Sequence, residues 1–208
     1  MTAMMGPEHL RADLAVIATL IDAGTRVLDV GCGDGTLLSW LQQHKQVDAR
    51  GLELDAVQVQ RAIARGLSVI HGDADTDLPD YGNDSYDCII LSQTVQTARD
   101  PKALLVQLMR IAPRMVVSVP NFGHWKNRLY LALKGRMPVT KTLSYEWFDT
   151  PNIHFCTIKD FVILCETLGL KIEKRIMVDA QGRRSRFYGR GLLANLFGEQ
   201  GVFLLKRA

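Results

Sequence analysis

No stretch of this 208-residue sequence reaches the roughly 18 consecutive apolar residues that a membrane-crossing helix requires, so no membrane association is expected. The first residues, Met1 to Pro7, lack the basic-then-apolar pattern of a secretion signal, and a cytoplasmic location is expected. Cysteine is scarce and scattered: Cys32, Cys88, Cys156 and Cys165 form no C-x-x-C pair. That argues against a structural zinc site and a disulfide framework and leaves reduced thiols as the expectation. Internal repeats and low-complexity segments are also missing.

What is present suits one domain spanning 1–208. Hydrophobic residues make up 47% and charged residues 23%, ordinary values for a globular chain with a sizeable core. The net charge of +3 hides an asymmetry. Residues 1–121 carry 10 Lys and Arg against 15 Asp and Glu, whereas residues 122–208 carry 15 against 7. A basic second half could face an acidic partner or nucleic acid. Its charges are spread out, as on a solvated surface.

Apolar residues at Leu10, Leu14, Ile17, Ala18 and Ile21 predict a helix over Glu8–Ala23. From Arg26 the pattern alternates. Strands are expected at Arg26–Val30, Ala49–Leu54, Leu67–His71, Tyr86–Leu91 and Met115–Val119, and helices at Asp34–His44, Ala56–Arg65 and Asp100–Ile111. Pro101 sits where a first helical turn tolerates it, and Asp77–Asn83 is rich in turn formers. Alternation of this kind implies right-handed crossovers and a mostly parallel sheet covered on both faces. After Val119 the rhythm breaks. An insert at about 121–156 is aromatic and basic, with a helix expected at His124–Lys134 carrying Trp125, Leu129 and Leu133 on one stripe. A helix at Thr157–Thr167, a strand at Leu170–Val178, a basic loop at Gln181–Gly191 and a closing strand at Val202–Leu205 follow; the two strands could pair antiparallel at a sheet edge.

Ligands in such sheets bind beyond the carboxyl ends of the strands, and the chemistry-bearing residues fall there. The first expected strand runs into Asp29-Val30-Gly31-Cys32-Gly33-Asp34-Gly35, a loop whose glycines allow tight turning and close ligand approach. The spacing is G-x-G-x-G, and Thr36 stands where a dinucleotide fingerprint needs its last glycine. Glu53 ends the second strand, placed to accept both ribose hydroxyls. Asp73 follows the third, where it could reach an adenine amino group, and Ser92 ends the fourth.

This arrangement resembles the class I S-adenosylmethionine-dependent methyltransferase family. Val27 to Gly35 looks like its first motif, Glu53 its ribose-binding acid, Asp73 its adenine-side acid, and Ser85-Tyr86-Asp87 the motif opening its fourth strand. The resemblance implies a Rossmann-like α/β fold, a seven-stranded mostly parallel sheet in the order 3-2-1-4-5-7-6 with the last strand antiparallel. It implies S-adenosylmethionine or S-adenosylhomocysteine as cofactor, held by Asp29, Gly31, Cys32, Gly33, Gly35, Glu53, Leu54, Asp73, Ala74 and Ser92. Three further strings, Pro120 to Trp125, Gly135 to Thr140 and Tyr145 to His154, are similar to the methionine biosynthesis protein MetW family over nearly the full chain. That likeness implies partnership with, and activation of, the homoserine O-acyltransferase MetX. It leaves methyl transfer and any catalytic residue unassigned, and puts His124, Trp125, Tyr145, Trp147 and His154 on the partner or acceptor side.

Several residues carry two readings. His124, His154 and Asp149 could form a base or metal cluster, but no tight ligand spacing supports one, and hydrogen-bonded histidines that order the insert are the plainer expectation. His71 is expected to pack at a strand end. A helix terminus could lower the Cys32 pKa; a small residue filling the loop is simpler. Trp125, Trp147 and Phe148 could form a lid, a docking face or a packed core. Arg183-Arg184-Ser185-Arg186 reads as an exposed loop. Ser92-Gln93-Thr94-Val95 is not the Asn/Asp-Pro-Pro-aromatic sequence of amine-methylating relatives, and no aromatic–basic array suits single strands, so no nucleic acid is expected.

Overall fold

The computed structural model describes residues 10–140, 143–179 and 192–207. Its strands are β1 (Arg26–Val30), β2 (Asp48–Glu53), β3 (Ser68–His71), β4 (Cys88–Ser92), β5 (Arg114–Pro120), β6 (Lys171–Val178) and β7 (Gln200–Lys206). They form one seven-stranded sheet in the order β3-β2-β1-β4-β5-β7-β6. The first five are parallel, and β7 lies antiparallel between β5 and β6. The expected order and the expected antiparallel pairing are both present.

Helices α1 (Ala12–Leu20), α2 (Thr36–Lys45), α3 (Ala56–Ala64), α4 (Ala74–Asp77), α5 (Pro101–Ile111), α6 (Trp125–Lys134), α7 (Ile158–Thr167) and α8 (Leu192–Phe197) connect or flank the strands. Because side chains alternate along a strand, each strand feeds two cores. Leu28, Ile89, Leu91, Met115 and Val117 join α5 and α7 on one face, while Val27, Cys88, Ile90 and Val116 join α1 and α2 on the other.

Helix starts follow their caps. Asp55 accepts from Val57 N and Gln58 N ahead of α3, and Asp100 accepts from Ala103 N ahead of α5. Thr157 and Asp160 form a reciprocal capping box on α7. Two short helices, α4 and α8, escape the periodicity argument because neither spans two full turns. The turn-rich stretch after Asp77 closes as a single 3-10 turn, Leu78–Asp80, with Arg110 donating to Leu78 O and Tyr81 O. Glu8 and the basic loop 181–191 lie outside the described residues. The stripe of Trp125, Leu129 and Leu133 is not core: all three are exposed, and Asn127 is the buried residue of α6.

The end of β5 is tied down by Asn121. Its Nδ2 donates to Asn195 O at 2.8 Å and Gly198 O at 2.7 Å, and its Oδ1 accepts from Gly123 N at 2.9 Å and Ile158 N at 3.3 Å. One buried amide thus joins β5, the start of α7 and the end of α8. Asn121→Ala strands three buried backbone groups and one partly buried one, and should lower the unfolding free energy by about 2 kcal/mol. Urea unfolding checks this, and an unchanged midpoint would show that water replaces the amide at no loss.

Candidate functional site

The loop after β1 folds back on β2, with Gly31 N and Cys32 N both donating to Leu52 O, at 2.8 and 3.3 Å. Gly31 and Gly35 have φ of 75° and 74°. A Cβ at Gly31 would sit 2.5 Å from Thr94 Oγ1, and one at Gly35 2.2 Å from Leu67 Cδ1, so both the backbone and its neighbours exclude a side chain. Glu53 orders the same loop. Its Oε2 accepts from Gly33 N at 2.8 Å and its Oε1 from Asp55 N at 2.9 Å. Thr36 joins an ion-paired knot: its N and Oγ1 donate to Asp34 Oδ1, and Arg65 donates to both Thr36 Oγ1 and Asp34 Oδ2.

Cys32 is a packing residue. Its Sγ lies where a Cβ on Gly51 would be, only 2.5 Å away. Burial, with the nearby Asp29 and Glu53 carboxyls, pushes its thiol well up, which outweighs any helix-terminus effect.

A cavity of about 600 Å³ opens beyond the carboxyl ends of the strands, within the size range of small-ligand sites. Among the residues expected from sequence, Gly31, Glu53, Leu54, Asp73, Ala74, Ser92 and Tyr145 line it. Asp29, Cys32, Gly33 and Gly35 are not among the lining residues; they shape the loop behind it. Asp73 caps α4 through Asp75 N and accepts from Arg99 Nη2 at 3.3 Å. His71 Nε2 lies 2.9 Å from Leu54 O, bracing the turn after β2.

Sequence reasoning missed the opposite wall. Arg11 lines the cavity and donates to Asp13 Oδ1 at 2.6 Å and Ser92 Oγ at 2.7 Å. Asp13, fully buried in α1, also accepts from Ser92 Oγ and Ser118 Oγ, each at 2.9 Å. Burial works to raise the Asp13 carboxyl, but Arg11 and the two hydroxyls more than offset it and hold it low. A sequence signal existed: Asp13 lies three, four and seven residues before Val16, Ile17 and Leu20, on the apolar stripe. Gln93 (φ 56°), just past β4, brings Thr94 to Val30 O at 3.1 Å.

The insert supplies the outer wall through Ser144, Tyr145, Pro151 and Asn152. Ile153 N and His154 N both donate to Gln96 O, and Gln96 Nε2 donates to Pro120 O. His124 caps α6, its Nδ1 accepting from Lys126 N at 3.4 Å, with its pKa lowered by burial and by Lys126. His154 Nε2 faces Arg99 O at 3.3 Å. The histidines and Asp149 are not brought together, and the described residues hold no group of three or more His, Cys, Asp or Glu placed for a metal ion. Trp125 is 40% exposed and Trp147 and Phe148 are each 70% exposed, which removes the packed-core reading.

Asp29 stands apart electrostatically. It is buried, its Oδ1 has no hydrogen-bond partner, and burial, with added repulsion from Glu53 and Asp13, pushes its carboxyl up to about 7 despite Arg11. The ordinary carboxylate value is near 3.8, so between these pH values the folded protein holds a proton that the unfolded chain has released. Stability from this group therefore falls as pH rises from about 4 to about 7 and is level above that. Asp29→Asn should remove this loss. Its advantage over the parent should grow by on the order of 1 kcal/mol per pH unit across the window, read from urea unfolding at pH 5, 6 and 7.5. Parallel pH profiles for the two proteins would contradict it.

With fold and site in view, relatives place the chain. Residues 11–205 match the family described as methionine biosynthesis protein MetW, and the chain belongs to that family. It is 30% identical over 185 residues to the bifunctional methionine biosynthesis protein MetXA/MetW of Rhodopirellula baltica, covering 84% of this chain and 30% of that one. The chain spans less than a third of the length of the curated relatives it matches. Its fold is that of S-adenosylmethionine-dependent methyltransferases. One from Mesorhizobium loti superimposes with a TM-score of 0.68 at 18% identity, covering 97% of this chain and 100% of the other. A possible histamine N-methyltransferase from Thermotoga maritima gives 0.67 at 19%, covering 95% and 88%. No helix among the described residues is long and apolar enough to cross a membrane.

Proposed function

We propose that this MetW-family chain binds S-adenosylmethionine or S-adenosylhomocysteine in the cavity, and acts as partner and activator of a homoserine O-acyltransferase. The residues present fit such a nucleoside. Each Glu53 oxygen accepts one amide and keeps a lone pair, so the carboxylate can take both ribose hydroxyls without releasing the loop. Leu54, Ala74, Ala98 and Leu104 supply the apolar surface an adenine ring needs, next to the Asp73 carboxylate. Arg11, which lines the cavity and is braced by Asp13, offers a cation for the amino-acid carboxylate. When bound, S-adenosylmethionine supplies an electrophilic methyl group on a sulfonium.

The observation that carries the acyltransferase reading is the Rhodopirellula baltica protein, whose name joins MetXA and MetW functions in one chain. A tether of that kind holds two modules at high effective concentration, which suits modules that work in contact. Activation then needs only that the chain bind the active acyltransferase state more tightly than the inactive one. A cytoplasmic setting fits this biosynthetic role.

A second reading, methyl transfer to a small molecule, has its own support. The cavity continues past Ser92 to Thr97, Pro120 and Asn152, leaving a wall where an acceptor nucleophile could sit. For an acceptor that is already a free nucleophile, such as a thiolate, or a neutral amine that loses its proton to solvent afterwards, positioning contributes several kcal/mol to the transfer without a general base.

Two measurements separate these readings. Purified chain added to the acyltransferase should raise its rate and co-elute with it; no complex and no rate change would sink the first reading. Accumulation of S-adenosylhomocysteine with a metabolite acceptor would establish the second. Under both, Glu53→Ala should weaken S-adenosylhomocysteine binding by roughly 10- to 100-fold in calorimetry, and an unchanged affinity would mean the ribose lies elsewhere.

A further inference from the structure

Among the described residues, exposed large apolar side chains concentrate on the insert. Of the 20 that are exposed, 12 fall between Trp125 and Phe155. Exposed apolar residues scattered singly need no explanation, whereas a concentration of this kind marks an interaction face. Helix α6 is its clearest part. Its first turn is fastened to the body: Asn127 Nδ2 donates to Asn121 O and Phe122 O, and Arg128 Nε donates to Gly123 O at 2.6 Å. Beyond that turn Leu129, Leu131 and Leu133 are 48%, 41% and 73% exposed. A helix this short is marginal without tertiary packing, and two of its turns have almost none.

Charge says what covers it. From Gly123 to Tyr145 the sequence contains Lys126, Arg128, Lys134, Arg136 and Lys141 and no Asp or Glu. Within the chain, Glu199 approaches Lys126 Nζ at 3.6 Å. Two copies of this chain meeting through α6 would set like charges against like charges, which disfavours self-pairing. The face instead suits an apolar patch ringed by carboxylates on a different protein.

We infer that α6 is the docking surface for the homoserine O-acyltransferase, an inference that rests on the partnership proposed above. Leu129 and Leu133, four residues apart on one helix face, enter an apolar patch on the partner, and Lys134 and Arg136 meet its acidic rim. The same surface reaches the ligand. Tyr145 and Asn152 line the nucleoside cavity, and they also line a small apolar cleft with Phe122, Met137, Trp147 and Phe155. A partner seated on the insert therefore bears on a wall of the cavity, and occupancy of either site shifts the affinity of the other by the same factor.

The test uses the full chain and the purified acyltransferase from the same organism. Leu129→Glu with Leu133→Glu, and separately Lys134→Glu with Arg136→Glu, should each weaken the complex at least tenfold in calorimetry. S-Adenosylhomocysteine affinity measured without the partner should stay unchanged, which certifies the fold. Arg61→Glu with Ile63→Glu, a comparable change on the exposed side of α3, should leave the complex intact. The parent complex should also loosen with added salt. A parent complex that the α6 variants leave intact overturns the assignment of the surface while the partnership stands. No parent complex at all overturns both. Self-association of the parent chain that the α6 variants abolish would assign the surface to a second copy instead.

Discussion

The nucleoside side of the candidate site depends on the point where the strand order of the sheet reverses. β1 pairs with β2 on one side and with β4 on the other, so the chain leaves neighbouring strands toward opposite flanks and a crevice opens at their carboxyl ends. The glycine loop, Glu53, Asp73 and Ser92 sit at that edge because each follows its strand directly. The register of the parallel ladder brings them to one edge. Glu53 then turns the crevice into a formed pocket, since one carboxylate holds both the Gly33 amide and the start of α3. A site ordered before its ligand arrives loses less freedom on binding.

The opposite wall obeys a different logic. Asp13 is a carboxylate inside an apolar layer, an arrangement that is unfavourable unless its oxygens are saturated. Arg11, Ser92 and Ser118 saturate them. The network pins α1 to the ends of β4 and β5 and points a guanidinium at the cavity. Asp29 lies a short way off with one oxygen lacking a partner. The protein thus compensates one buried acid fully and the other only in part.

The periodic part of the chain was readable because its signals are local. Short apolar runs ending in Gly31, Glu53 and Asp73 reveal both the strands and the residues that follow them. The first half of the site was therefore legible. Arg11, Thr94 and Gln96 were not, because their importance comes from contacts 81, 64 and 24 residues distant along the chain. The insert misled in one respect. Its Trp125–Leu129–Leu133 stripe has the spacing of a buried helix face, yet spacing reports only that a face is apolar and never whether the covering surface belongs to the same chain.

The place of β7 has a consequence for how the molecule assembles. It sits inside the sheet, with β5 on one side and β6 on the other, although it follows both in sequence. During synthesis the five parallel strands can pair as they emerge, each with a neighbour already made or soon to come. β6 cannot join them, because the strand that must separate it from β5 has yet to be translated. The Met115–Val119 edge therefore waits with an unpaired row of amides and carbonyls while some 80 further residues leave the ribosome. Insertion of β7 is the step that closes this edge, and until then the nascent chain is at its most exposed to pairing with another copy of itself.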